Sequence, residues 1–191
     1  MRQLATLEQN LIAYCAPTLA GLKSANLFAH HFISKEGFFS ELLAVNEALN
    51  VRGVIVMTLA LHEDFALIYV YRKSHLEKEL QRKDAKLLLK EYGYQADDVE
   101  VCLHQLRGRL SCGCCRGCFP HEIGVFLGYP IEDVKGFIQK GGRECKCCGL
   151  WKVYGDEEKA RALFAKLEKC TAVYREVFAG GRSLVQMTVC A

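Results

Sequence analysis

The sequence predicts an α+β fold: a small, mainly antiparallel sheet packed against several amphipathic helices. Three observations carry this. Val54–Leu61 and Phe65–Tyr71 are β-branched and aromatic runs, and the His62-Glu-Asp64 between them has the length and polarity of a hairpin connection. Elsewhere the apolar residues recur at steps of three and four, most clearly over Ala160, Leu163, Phe164, Leu167, Cys170, Tyr174, Val177 and Phe178. Helix-start and helix-stop residues punctuate these stripes. With 191 residues, 51% of them hydrophobic, the chain can bury a full core, and no low-complexity linker or repeat interrupts it. A single domain over 1–191 is expected.

Taken in order, Leu4, Leu7, Leu11 and Cys15 make one apolar helical face that Pro17 is expected to end. Residues 26–33 read as extended. A helix follows over about Gly37 to Leu49, closed by Asn50 to Gly53. After the hairpin, Ser74 and Glu77 form a capping-box pattern opening a charged helix to about Tyr92, stopped by Gly93. Asp97 and Glu100 repeat that logic for a helix to about Leu110. Two short helices, Pro120 to Leu127 and Pro130 to Gln139, begin at prolines, where the missing amide costs nothing, and stop at Gly128 and Gly141. Leu150 to Tyr154 alternates like a strand. Asp156 caps the long final helix, Gly180-Gly181 ends it, and Ser183 to Val189 reads as a last strand.

Charge and targeting signals narrow the partners. Lys+Arg 25 against Asp+Glu 22 gives a net charge of +3, too balanced for a nucleic-acid footprint. The first residues lack a secretory pattern, and the most apolar run, Val54 to Leu61, is far shorter than the roughly 20 residues a bilayer requires. A cytoplasmic protein, with no membrane and no nucleic acid among its partners, is the expectation. The segment Phe119 to Ile138 has a helix-turn-helix outline. Its second helix, however, begins Ile131, Glu132, Asp133, and those carboxylates would repel DNA. A helical hairpin serving the core is the better reading, with a regulatory or partner-binding module using that hairpin kept as a further alternative.

The eleven cysteines are unevenly spread. Cys15, Cys102 and Cys170 lie on apolar helical faces, where a free thiol behaves as a small hydrophobe. Seven sit in two knots: Cys112, Cys114, Cys115 and Cys118, then Cys145, Cys147 and Cys148. In a reducing compartment clustered thiols point to metal ligation or redox work, and an odd total fits poorly with a fully paired disulfide framework. Cys115-x-x-Cys118, 26 intervening residues and Cys145-x-Cys147 resemble the paired knuckles of a four-thiolate zinc site. Thiolates also hold iron-sulfur clusters, and Cys112, Cys114 and Cys148 leave room for another ligand choice. Zinc and an iron-sulfur cluster are therefore both carried forward. His121, three residues from Cys118, is the nearest non-thiol candidate, with Glu122 beside it in the first turn of its helix.

A second possibility is thiol-dependent chemistry on a small molecule by Cys15 with Lys23 and Asn26, or by His121 with Glu122. Lys23, Arg72 and Lys152 are cations that would hold an anionic ligand if one cleft gathered them. Serine elbows, phosphate loops, dinucleotide glycine fingerprints and His-Glu-x-x-His motifs are absent from the sequence. That argues against an ordinary hydrolase, kinase or dehydrogenase.

Four strings also carry a family resemblance: Cys15-Ala-Pro-Thr-Leu-Ala-Gly-Leu-Lys-Ser-Ala-Asn-Leu-Phe, Tyr69-Val-Tyr-Arg72, Phe119-Pro-His-Glu-Ile-Gly-Val-Phe-Leu-Gly-Tyr-Pro and Cys145-Lys-Cys-Cys-Gly-Leu-Trp-Lys-Val-Tyr-Gly. Through them nearly the whole chain resembles an uncharacterised bacterial domain-of-unknown-function family (three-seven-nine-three) found in anaerobes. The resemblance implies a cytoplasmic protein at low oxygen, where exposed thiols and iron-sulfur clusters survive, and supplies no activity. The knot at Cys112 to Cys118 is richer in cysteine than the family pattern there. A metal-binding accessory in anaerobic redox or cofactor metabolism, working with a redox partner protein, is the leading expectation.

Overall fold

The computed structural model describes residues 4–111 and 119–190. In chain order the elements are α1 (Leu7–Leu19), β1 (Ala25–His31), α2 (Lys35–Asn50), β2 (Val54–Leu61), β3 (Phe65–Arg72), α3 (Lys73–Gln81), α4 (Lys83–Glu91), α5 (Val99–Ser111), α6 (Ile123–Phe126), α7 (Ile131–Lys140), β4 (Cys147–Cys148), β5 (Lys152–Val153), α8 (Glu157–Ala179) and α9 (Leu184–Met187). The architecture is α+β, with a small antiparallel three-stranded sheet. The chain divides into two compact units, Met1–His75 with Lys169–Ala191, and Leu76–Glu168.

In the first unit β3 is the central strand, flanked antiparallel by β1 and β2. The β2–β3 hairpin forms where the sequence placed it, with a register shift between Thr58 and Ala60 that lets β2 coil. One sheet face sends Phe28, Val54, Val56, Ala66, Ile68 and Val70 into the core. Leu7, Leu11, Ile12, Cys15 and Leu19 meet them from α1, and Phe38, Val45 and Leu49 from α2. The i, i+4 spacing of these helical residues is what lets one face serve the sheet.

Helix α1 opens on a capping box: Gln9 N donates to Thr6 Oγ1 (3.2 Å) and Thr6 N to Gln9 Oε1 (3.0 Å). It runs two residues past Pro17 rather than stopping there. Pro17 lacks the amide that would have bonded the Ala13 carbonyl, and Arg175 of α8 donates to that carbonyl instead (3.3 Å).

The charged helix expected from Ser74 to Tyr92 is two helices. Its buried residues are Leu76 and Leu80, then Ala85, Leu88 and Leu89. The five-residue step from 80 to 85 breaks the helical period, so an extended Arg82 (ψ 138) resets the phase and forks to Asp84 and Glu79. Ser74 lies inside α3, which starts directly after β3, and so is no N-cap. Before α5 the capping oxygen is that of Asp98, which accepts from Glu100 N (2.9 Å) and Val101 N (3.1 Å), while Asp97 pairs with Lys86 and Lys90.

The last strand expected at Ser183 to Val189 is instead the helical turn α9. Ser183 and Gln186 make a second capping box, and Leu184 and Met187, three apart, both reach the core of the first unit. The strand expected at Leu150 to Tyr154 shrinks to Lys152–Val153. In the second unit Gly128 (φ 70) and Gly141 (φ 56) turn the chain after α6 and α7, as their left-handed backbone requires.

Candidate functional site

The second unit contains a cavity of about 270 Å³ between the α6–α7 hairpin and the β4–β5 hairpin. Phe119, His121, Tyr129 and Phe137 face it from one side, and Cys148, Trp151 and Lys152 from the other. Two of its wall residues, Tyr129 and Trp151, belong to a small apolar cluster in which Tyr129 stacks on Trp151 (4.8 Å) and Trp151 and Phe164 meet edge to face (4.5 Å). Gly149 is required at the turn, since a Cβ there would run into the Phe164 ring. Asp133 ties the two hairpins together. This buried carboxylate accepts from Trp151 Nε1 (2.8 Å), Tyr154 N (2.7 Å) and Gly155 N (2.8 Å). The three donors satisfy its charge without a cation. Asp133 therefore serves the hairpin's own architecture.

The second cysteine knot lies on this hairpin. Cys147 and Cys148 pair with Val153 and Lys152 across β4–β5, and alternation sends them to opposite faces. Cys147 is buried with Trp151, Val153, Ala160 and Phe164, whereas Cys148 is exposed at the cavity and Cys145 is half-buried. The thiols free of the apolar cluster are thus Cys145 and Cys148, which stand at Cys-x-x-Cys spacing before Gly149. Cys112, Cys114, Cys115 and Cys118 lie outside the described residues. Among the described residues no group of three or more His, Cys, Asp or Glu side chains is placed to hold a metal ion.

His121 and Glu122 are neighbours that turn apart. His121 is exposed and packs its ring against Phe119 (5.7 Å) and Phe137 (5.0 Å) at the cavity. Glu122 is buried, accepting from Tyr94 Oη (2.9 Å) and Arg109 Nε (2.8 Å). Burial, then the Glu122 carboxylate, push the Tyr94 hydroxyl far above its usual range, so it remains a donor. Lys152 donates from Nζ to the Gly142 carbonyl (2.7 Å) and lies over the Phe137 ring (5.9 Å).

The remaining candidates gather in the first unit, at the C-terminal end of α1. Arg72 is buried to 1% exposure, and its guanidinium donates to the carbonyls of Thr18 (2.6 Å), Leu19 (2.5 Å) and Val189 (2.7 Å). It thereby caps the negative end of α1 and holds the C-terminal segment, a structural use of all the charge it carries. Asn26 Oδ1 accepts from Thr18 Oγ1 (2.7 Å). Lys23 donates to the Ala25 carbonyl, and burial lowers its ammonium to about 7, the neighbouring Cys15 opposing that shift. Burial drives the Cys15 thiol far upward, and the side chain has no exposure. Cys15, Lys23 and Asn26 thus share one neighbourhood, but Cys15 is a protonated core thiol and cannot attack a solvent-borne substrate without local opening.

Sequence reasoning missed the aromatic cavity. Phe119, Tyr129, Phe137 and Trp151 stand 10, 8 and 14 residues apart in the chain, a spacing that does not by itself bring them to one cavity. It also missed Asn10 and Glu41, which bracket the buried His30: Asn10 Nδ2 lies 2.9 Å from Nδ1 and Glu41 Oε2 4.0 Å from Nε2.

A family described as protein of unknown function (DUF3793) matches residues 11–188, and the chain belongs to it. No curated protein and no solved structure matches the chain.

Proposed function

We propose that this DUF3793 chain is a cytoplasmic thiolate metal-binding protein, holding zinc or an iron-sulfur cluster as an accessory to redox or cofactor metabolism with a redox partner protein. One observation supports the reading above the others: Phe119, the residue directly after Cys118, and Cys148 line the same cavity. The flanks of the two cysteine knots therefore come to one place, as a paired-knuckle site demands. From the hairpin the ligands are Cys145 and Cys148, because Cys147 is committed to packing against Trp151. Cys115 and Cys118, taken from their sequence spacing, would complete four thiolates, and His121 on the cavity wall is the alternative nitrogen donor. Bound there, zinc would act as a structural cross-link between the knots, and an iron-sulfur cluster would carry electrons.

Anaerobic purification followed by elemental analysis and a visible spectrum tests this. Zinc, or iron with thiolate-to-iron absorption, is expected in the natural chain and is lost from Cys145→Ser and Cys148→Ser. Cys147→Ala is expected to keep the metal and lose stability instead. A natural chain that carries neither metal, or serine variants that retain it in full, would sink the proposal.

A further inference from the structure

We infer that the cavity between the two hairpins of the second unit binds a small aromatic carboxylate, its ring held by Phe119, Tyr129, Phe137 and Trp151 and its acid group by Lys152. This goes beyond the metal reading: it uses other side chains of the same cavity, which His121 and Cys148 also line. Size comes first: an apolar cavity of about 150 Å³ accommodates one benzene, so the 270 Å³ available here suits one ring with a short side chain. The wall chemistry selects the ring. Aromatic faces and edges stack favourably on a further ring, and the Tyr129–Trp151 stack already presents a flat surface.

Charge selects the acid. Asp133 keeps its charge, but both its oxygens are engaged by Trp151, Tyr154 and Gly155 and so are taken up by the hairpin. Among the described lining residues Lys152 is the lysine on the wall, and the Gly142 carbonyl and Phe137 ring hold it in place while using one of its three ammonium protons. Two protons remain for a carboxylate, in a setting where charge-assisted bonds are strong. The ammonium's orientation is thus set before any ligand arrives, which limits the ordering cost of binding.

Trp151 is the single tryptophan of the chain and lines this cavity, so its emission responds to a ligand bound there. Titrating the full chain with 3-phenylpropionate, exciting only the indole, is expected to give a saturable change in emission. The neutral 3-phenylpropionamide should bind roughly tenfold more weakly, the worth of one charge-assisted contact. Lys152→Met should abolish that preference for acid over amide, and Lys152→Arg should keep it. If Lys152→Met fails to fold, the salt dependence of the natural chain takes its place: acid binding weakens as salt rises and amide binding does not. Absence of a saturable change with the acid, or equal binding of acid and amide, overturns the inference. Metal content, measured on the same preparations, separates its failure from failure of the metal site.

Discussion

Arg72 shows how a residue that reads as a ligand-binding cation can be wholly absorbed by the fold. Its three carbonyl partners come from the end of α1 and from Val189, more than a hundred residues away. Removing the side chain takes a charge-assisted donor from all three carbonyls and leaves those of Thr18 and Leu19 with the Gly21 and Val189 amides alone. Arg72→Met is therefore expected to cost about 3 kcal/mol, read as a lower urea midpoint at unchanged slope. Arg72→Lys should recover only part, because an ammonium lacks the planar fork that reaches several carbonyls at once. Lys23 makes a pH-dependent counterpart. Its ordinary value is 10.5 and its folded value about 7, so between those limits the unfolded chain binds a proton that the folded chain does not. Stability from this group consequently rises with pH across that window, and below it the burial penalty is present in full. The comparison to make is natural chain against Lys23→Met: the variant should be the more stable at pH 6, with the gap closing as pH rises through 7 to 10.

At the scale of elements, the β4–β5 hairpin is where sequence and packing meet most tightly. Gly149 permits the turn to approach Phe164 of α8, so Gly149→Ala is expected to cost about 1–3 kcal/mol, lowering the melting temperature. Trimming the ring with Phe164→Leu in the same chain should return part of that loss, a non-additivity that a purely local turn effect would not show. Asp133 is the second determinant. Asp133→Asn keeps one oxygen for Tyr154 and Gly155 but turns an amide toward Trp151 Nε1, pairing donor with donor. A red-shifted Trp151 emission, with a loss of about 2 kcal/mol in stability, is the expected result. The helix starts show what local signals convey: Asp156 caps α8 as its position suggested, with Lys159 N on Oδ1 at 3.0 Å, whereas Asp97 and Asp98 exchange roles. Two adjacent carboxylates are equivalent as caps in sequence, and only the nearby Lys86 and Lys90 of α4 decide which is drawn away.

Over the whole molecule, α8 supplies residues to two cores, Ala160 and Phe164 to one and Tyr174, Val177 and Phe178 to the other. We propose that melting of this one continuous helix couples the units, so that the chain unfolds as a single domain. Calorimetry should then show one transition with equal calorimetric and van't Hoff enthalpies, and two resolved transitions would refute it. Sequence alone determined the α+β class, the β2–β3 hairpin and the glycine stops, because each follows from short-range periodicity, β-propensity or backbone freedom within a few residues. It also singled out the second cysteine knot as unusual. Tertiary structure decided the rest. It turned residues 184–187 into a helix whose Leu184 and Met187 reach the core, and carried α1 past Pro17 with Arg175 donating to the Ala13 carbonyl, in both cases through a partner distant in the chain; the α3–α4 break follows the step between buried Leu80 and Ala85. It likewise divided the thiols of the second knot between packing and exposure, since which face of a two-residue strand is buried depends on Phe164 arriving from α8. Phe119 and Cys148 line one cavity for the same reason: the meeting is made by the packing of two hairpins, and no spacing along the chain encodes it.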